Sequence, residues 1–130
     1  MLHKSLAAAL VLAASAVAPA AAAPAPEPYR LLITVSGSGS ADGTHELTCR
    51  PAGGDHADPA GACDAIAAAE QPFVAADAKA LCTYMYGGPA TATIEGTWAG
   101  EPVRATFSRE NGCEIARWDA LVPALPAVGA

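Results

Sequence analysis

The chain has 130 residues and a net charge of −6, and 52% of its residues are hydrophobic although only 5% are aromatic. This length indicates one compact domain, which excludes a two-domain enzyme with a separate cofactor-binding fold. The negative charge opposes binding to phosphate backbones and anionic lipid, so no nucleic-acid or membrane-surface role is expected.

Residues 1–22 are predicted to form a secretory signal peptide. A positive start at Lys4 precedes a nearly continuous apolar stretch over 5–17, and small residues follow at 20–23. The stretch falls short of the roughly 20 residues of a membrane-spanning helix. Cleavage after Ala22 removes one cation, which leaves 6 cationic and 13 acidic residues and a net charge of −7. We therefore expect a secreted, extracellular protein with no membrane role after cleavage.

The four cysteines all lie in the mature part of the chain, at Cys49, Cys63, Cys82 and Cys113. An even number of cysteines in a small secreted domain favours disulfides. Their spacing fits no zinc pattern of the C-x-x-C kind. Count alone leaves three pairings open.

The mature chain begins with an Ala/Pro arm over 23–28, which is predicted to be flexible or polyproline-like. A run of aliphatic and β-branched residues over 29–36 predicts a strand. The turn signal Asp42-Gly43 and a second run over 44–50 complete a predicted hairpin.

A region without periodicity, 51–58, is predicted to be a loop. Helix-forming residues over 59–70 predict a helix that starts at Asp58 or Pro59, and 73–80 is expected to add a helical turn.

Alternating patterns then predict strands over 90–96, 103–108 and 114–121, the last after an Asn111-Gly112 turn. Five strands with one or two helices indicate an α+β fold over residues 29–130. We expect a two-layer sandwich in which the helices pack on one face of an antiparallel sheet.

Catalytic and metal-binding patterns are weak. His45 and His56 lie in no nucleophile or metalloprotease motif. Asp55, His56 and Asp58 resemble a metal cluster only loosely and are interpreted as a solvated loop, so no metal site is predicted.

The segment Tyr84-Met85-Tyr86 differs from its surroundings, because two of the chain's three tyrosines and one of its two methionines are consecutive. These residues fit either a short core strand or an exposed loop. The preceding Cys82 and the following Gly87-Gly88-Pro89 favour a tethered loop. Large apolar side chains on such a loop indicate a surface that is buried by a partner.

The sequence resembles the Streptomyces subtilisin inhibitor family of secreted serine protease inhibitors over residues 29–121. The shared motifs are Leu47-Thr48-Cys49, Cys63-Asp64, Cys82-Thr83-Tyr84-Met85-Tyr86 with a following proline, Ile94-Glu95-Gly96-Thr97-Trp98-Ala99-Gly100 and Asn111-Gly112-Cys113-Glu114. The resemblance implies disulfides Cys49–Cys63 and Cys82–Cys113, a five-stranded antiparallel sheet and a homodimer formed through that sheet. It implies no cofactor and no enzymatic activity.

The resemblance also places a reactive bond at Tyr84–Met85. Cys82 and Thr83 then lie on its acyl side and Tyr86 on its leaving side, and Asn111 is expected to hydrogen-bond to this loop from below. Tyr84 would fill the primary pocket of subtilisin- or chymotrypsin-like proteases rather than that of trypsin.

Gly87-Gly88 depart from the family pattern by adding a residue before the proline. Two glycines raise the backbone entropy on the leaving side, and a shifted register would make Met85 or Tyr86 the primary specificity residue. The competing functional hypothesis is a non-inhibitory secreted structural or cell-envelope domain, or a small secreted hydrolase.

Overall fold

The computed structural model describes residues 9–16 and 27–129. Residues 9–16 have no regular secondary structure and are exposed. The rest of the predicted signal peptide, and residues 23–26 of the predicted arm, lie outside the described residues. Within the described ranges, no helix combines the length and apolarity needed to cross a membrane.

A five-stranded antiparallel sheet forms the centre of the domain. Its strands are β1 (Arg30–Ser36), β2 (Gly43–Thr48), β3 (Gly53–Gly54), β4 (Thr91–Trp98) and β5 (Glu101–Phe107), in the order β3-β2-β1-β4-β5. The helices are α1 (Pro59–Ala68) and α2 (Gly112–Ala120). The expected α+β fold with a five-stranded antiparallel sheet and two disulfides is therefore confirmed.

Strand β1 shows why the sheet has one buried face. Leu31, Ile33 and Val35 are buried, whereas Arg30 and Leu32 are exposed. This alternation follows from the two-residue period of a strand. The buried face joins one core with side chains from α1, α2 and the C-terminal segment, including Ile66, Trp118, Leu121 and Leu125.

Helix α1 begins where the sequence predicted. Asp58 is its N-cap, and its side-chain oxygen Oδ1 accepts a hydrogen bond from the Gly61 amide at 3.0 Å. Pro59 occupies the first helical turn, where a missing N–H has no cost. The disulfide Cys49–Cys63, with a Cα–Cα distance of 5.8 Å, ties this helix to the end of β2.

The predicted strand over 114–121 is wrong, because these residues lie largely in α2. Asn111 caps this helix rather than starting a hairpin turn, and its Oδ1 accepts from the Glu114 amide at 3.0 Å. Arg117 and Glu114, one helical turn apart, form an ion pair at 2.9 Å. Trp118 is buried because the helical period places it on the inner face of α2. The short apparent alternation in the sequence did not reveal this burial.

The fifth strand lies instead within the predicted loop over 51–58. Gly53 and Gly54 pair with Thr48 and Leu47, and two glycines carry no strand pattern that a sequence could show. A side chain at Gly54 would collide with the Glu46 carbonyl, so the close pairing requires glycine.

Residues just beyond β3 complete the hydrogen bonds of β2. The Asp55 carboxylate accepts from the Glu46 amide, and the His56 amide donates to the Glu46 carbonyl at 3.2 Å.

The helical turn predicted over 73–80 is also wrong, because this stretch contains only turns and irregular backbone. Its alanines favour a helix, but a short helix in water needs an apolar face to pack. Phe73 packs against the core, with its ring centroid 6.1 Å from that of Trp98.

Candidate functional site

The exposed loop, residues 81–88, has no regular secondary structure. Tyr84 is fully exposed, and the exposed fractions of Met85 and Tyr86 are 65% and 66%. The interpretation of these residues as core on a short strand is therefore wrong. Leu81, also fully exposed, extends the apolar surface toward the N-terminal side. Several large apolar groups in water at one place indicate an interaction surface.

The N-terminal half of the loop is fixed to the start of α2. The disulfide Cys82–Cys113 joins the two segments with a Cα–Cα distance of 5.3 Å. The Gly112 amide donates to the Thr83 carbonyl at 3.0 Å. A side chain at Gly112 would collide with the Thr83 hydroxyl oxygen, so this close approach favours glycine.

The C-terminal half of the loop is fixed at Gly87. Its amide donates to the Arg109 carbonyl at 2.7 Å, and its carbonyl accepts from Nε of Arg109 at 3.2 Å. Gly88 has a φ of +99°, a left-handed conformation that glycine adopts without strain. The glycine pair was expected to loosen this side of the loop, but Gly87 is hydrogen-bonded through both of its main-chain polar groups.

Arg109 is a buried charged residue that the sequence did not single out. Its Nη1 lies 2.7 Å from Oδ1 of Asp119, and its guanidinium carbon lies 5.7 Å from the centroid of the Trp118 ring. Arg109 is buried because α2 and Gly87 pack against it. Gly87 is distant from Arg109 in sequence, and α2 is turned toward Arg109 only in the folded chain. No local pattern separates such an arginine from a surface one.

Asn111, the residue expected to support the loop, caps α2 with its side-chain oxygen. It lines the cleft beneath the loop together with Thr83 and Tyr84. The hydrogen bonds described between the loop and its base come instead from Arg109 and Gly112. A direct contribution of Asn111 to loop geometry stays a prediction.

The histidine and aspartate residues of the 51–58 region have structural contacts. His56 Nδ1 accepts from the Asp58 amide at 3.0 Å, and Nε2 lies 3.0 Å from the Ala124 carbonyl oxygen. His45 lies beside it, with ring centroids 6.4 Å apart. Among residues 9–16 and 27–129, no three His, Cys, Asp or Glu side chains are grouped to hold a metal ion.

The loop is apolar and exposed at its centre, and its two ends are bonded to the rest of the fold. Such a loop is typical of proteins that present part of their own chain to a partner. The subtilisin inhibitor-like family model matches residues 27–111. The chain is also 33% identical over 81 residues to subtilisin inhibitor-like protein 1 of Streptomyces cacaoi, an alignment that spans 58% of this chain and 73% of that protein. The chain therefore belongs to the subtilisin inhibitor-like family.

A solved structure, Streptomyces caespitosus sermetstatin in complex with Bacillus licheniformis subtilisin, is similar at 25% identity and a TM-score of 0.46. The similarity covers 79% of this chain and 100% of that one. Proteins of the family are serine protease inhibitors rather than enzymes, and the chain is assigned that function. The family match ends at Asn111, so Cys113 and the whole of α2 lie beyond it, and their place beside the loop comes from the structure.

Proposed function

We propose that the protein inhibits extracellular serine proteases of the subtilisin and chymotrypsin types by presenting Tyr84–Met85 as a substrate-like reactive bond. The full exposure of Tyr84 between two fixed ends of the loop is the observation that supports this proposal. Cys82 and Thr83 lie on the acyl side of the bond and Tyr86 on its leaving side.

Tyr84 is suited to be the primary specificity residue because its whole side chain is available to a partner. Burying an aromatic ring of about 150 Å² contributes roughly 4 kcal/mol of apolar transfer free energy. The large apolar pockets of subtilisin- and chymotrypsin-like proteases accept such a ring, whereas the trypsin pocket carries a carboxylate that prefers Lys or Arg.

The fixed ends reduce the entropy lost on binding. A free loop would have to order each residue at a cost of about 1–2 kcal/mol. Here the Cys82–Cys113 disulfide, the Gly112–Thr83 hydrogen bond and the Arg109–Gly87 pair already restrict the residues on both sides. More of the contact free energy therefore remains as affinity.

The same restraint makes cleavage reversible. The protease serine oxygen attacks the Tyr84 carbonyl carbon, and the bond to the Met85 nitrogen breaks as the protease histidine transfers a proton to that nitrogen. In the reverse step the Met85 nitrogen forms the amide again, the serine ester breaks, and the proton returns through the histidine to the serine oxygen. Because both cut ends are held close together, turnover is slow.

A titration of subtilisin with the purified protein tests the proposal, with hydrolysis of a chromogenic peptide as the readout. We expect stoichiometric loss of protease activity, strong inhibition of chymotrypsin and weak inhibition of trypsin. No loss at any ratio would favour the structural-domain alternative, and a preference for trypsin would contradict the role of Tyr84.

Matched variants test the register of the loop. Tyr84→Asp is expected to abolish inhibition of subtilisin, while Tyr84→Phe keeps it and Tyr86→Asp reduces it less. N-terminal sequencing of the inhibitor after incubation with catalytic protease should show a new chain start at Met85. A new chain start at Tyr86 would place Met85 on the acyl side of the reactive bond, and a start at Gly87 would place Tyr86 there.

Secretion is part of the proposal. Residues 1–22 act as the signal peptide, 23–28 as an arm and 29–130 as the inhibitor domain. The exposed Leu10, Val11 and Leu12 make no part of the core, which supports a segment that is dispensable for folding. The protein recovered from culture medium should begin at Ala23, and a start at Met1 would contradict export by cleavage.

A homodimer through the open face of the sheet is also proposed. This face carries Leu32, with an exposed fraction of 46%, beside threonines such as Thr34 and Thr44, whose hydroxyl oxygens lie 3.1 Å apart. Sedimentation equilibrium should give twice the chain mass, and Leu32→Glu should give the monomer mass. A monomer at all concentrations would contradict this part.

A further inference from the structure

The two ends of the exposed loop are held by different kinds of bond. Cys82, on the acyl side, is joined covalently to Cys113. On the leaving side, the contacts described at Gly87 are hydrogen bonds with Arg109, one through its main chain and one through its guanidinium. After cleavage of Tyr84–Met85, the acyl end stays attached by the disulfide. The position of the new Met85 amine, in contrast, depends on the hydrogen bonds between Gly87 and Arg109.

The Arg109 side chain is built as a fixed support. Its side chain is 7% exposed, and a guanidinium loses hydration on burial unless hydrogen bonds and an opposite charge replace it. Asp119 supplies the charge at 2.7 Å and Gly87 supplies the second acceptor. The guanidinium is therefore positioned by α2 from one side and by the loop from the other.

Gly87 fits against this support only without a side chain. A Cβ atom there would lie 2.9 Å from Ile115 Cδ1 and 3.0 Å from Arg109 Cβ, closer than carbon atoms pack. Its φ is not in the left-handed region, so alanine is allowed by the backbone and disfavoured by space alone. Gly87 and Arg109 form a matched pair.

The pair limits how far the new Met85 amine can move. Gly87 is two positions after Met85 in the chain, a reach of at most ~7 Å. Without this anchor, the next residue fixed in the core is Ala90, which is 1% exposed; five residues reach at most ~17 Å. The accessible volume then grows about tenfold, and the local concentration of the amine at the acyl-enzyme falls by the same factor.

We infer that Arg109 is a positioning residue that holds the leaving side of the reactive loop, so that the cut bond is resealed before the amine escapes. This inference rests on the proposed function. Arg109 does not touch the reacting atoms; it acts through Gly87.

The test uses the full protein and its variants Arg109→Met and Gly87→Ala, with Arg104→Met as the matched control. Arg104 is an exposed arginine of β5, with an exposed fraction of 86%, and its ion pair, at 3.5 Å, is with Glu95 of β4. Initial inhibition of subtilisin is measured within minutes, and return of protease activity is followed over hours. We expect about tenfold faster return for both loop variants and wild-type behaviour for Arg104→Met.

The rate of resealing distinguishes a positioning role of Arg109 from a purely structural one. Intact and cleaved inhibitor are each incubated with catalytic subtilisin, and the ratio of the two forms is measured as it is approached from both sides. The variants should reseal cleaved chains about tenfold more slowly, while a structural role would lower only the unfolding temperature. Arg109→Lys keeps a cation for Asp119 but lacks the Nε–H donor, so slow resealing of this variant supports the inference and full rescue contradicts it.

The outcomes separate this inference from the proposed function. If the wild type does not inhibit subtilisin, both fail. If the wild type inhibits stoichiometrically and Gly87→Ala reseals as fast as the wild type, the role of Arg109 alone is overturned. Should Arg109→Met not fold, Gly87→Ala decides, because its change lies on an irregular segment outside the core.

Discussion

The two disulfides allow stability and inhibition to be separated in one experiment. They close segments of 31 residues at Cys82–Cys113 and 14 residues at Cys49–Cys63. In the chain-entropy model, loops of these sizes contribute about 3.7 and about 3.0 kcal/mol to the free energy of unfolding. Replacing each pair by serines should therefore cost similar stability.

Only one of the two pairs touches the exposed loop. Cys82 is two residues before Tyr84, whereas Cys49–Cys63 joins β2 to α1 in the core. Freeing the acyl side requires three residues to be ordered again on binding, at about 1 kcal/mol each. A loss of about 3 kcal/mol weakens inhibition roughly 100-fold.

The assay compares both double variants with the wild type. Unfolding in urea, followed by tryptophan fluorescence, gives the stability, and inhibition constants for subtilisin are measured where all three proteins are folded. We expect comparable losses of stability but weak inhibition only for Cys82→Ser/Cys113→Ser. Equal inhibition constants for the two variants would refute the argument that the disulfide preorganises the loop.

Three further changes test other parts of the fold. Trp118 is fully buried and its Nε1–H donates to a main-chain carbonyl at 2.8 Å, so Trp118→Ala should lower the unfolding free energy by about 3–5 kcal/mol in urea titrations, whereas Trp118→Phe should cost less; equal losses would contradict this packing. Asn111→Ala should remove about 1 kcal/mol of stability by losing the α2 cap, while Asn111→Asp keeps the cap and should be nearly neutral by the same measurement. Hydrogen bonds from the Ser38 side chain and then its amide lower the pKa of Asp42, so the associated stability is present above the unfolded-state pKa and is lost as pH falls through the lower folded-state pKa; an NMR titration should show the Asp42 pKa rising in Ser38→Ala, and an unchanged value would contradict the assignment.

Elements with a regular side-chain period were predictable from sequence. The alternation of Leu31, Ile33 and Val35 and the capped start of α1 both appear in the structure as expected. Strand β3 was missed because two glycines have no side-chain pattern, and α2 was mistaken for a strand because Asn-Gly marks both hairpin turns and helix starts.

The exposed loop was predictable in its position but not in its support. The tyrosines between Cys82 and a glycine pair indicated a tethered, partner-facing segment, and the structure places them in water. The contacts of Arg109 with Gly87 and Asp119 arise only when α2 packs beside the loop. Such long-range pairs leave no spacing rule in a single sequence.

The short strand β3 and the residues after it also determine how the protein resists aggregation. An unpaired sheet edge is a template for another strand. At one edge, β3 pairs with Leu47 and Thr48 of β2. The Asp55 carboxylate and the His56 amide hydrogen-bond to the main-chain amide and carbonyl of Glu46. At the other edge, β5 carries Pro102, which has no N–H to donate.

At both edges, some of the main-chain hydrogen-bonding groups are therefore occupied or removed, which disfavours pairing with a second chain. Edges whose main-chain groups are partly occupied or removed favour a protein that stays dispersed at high concentration.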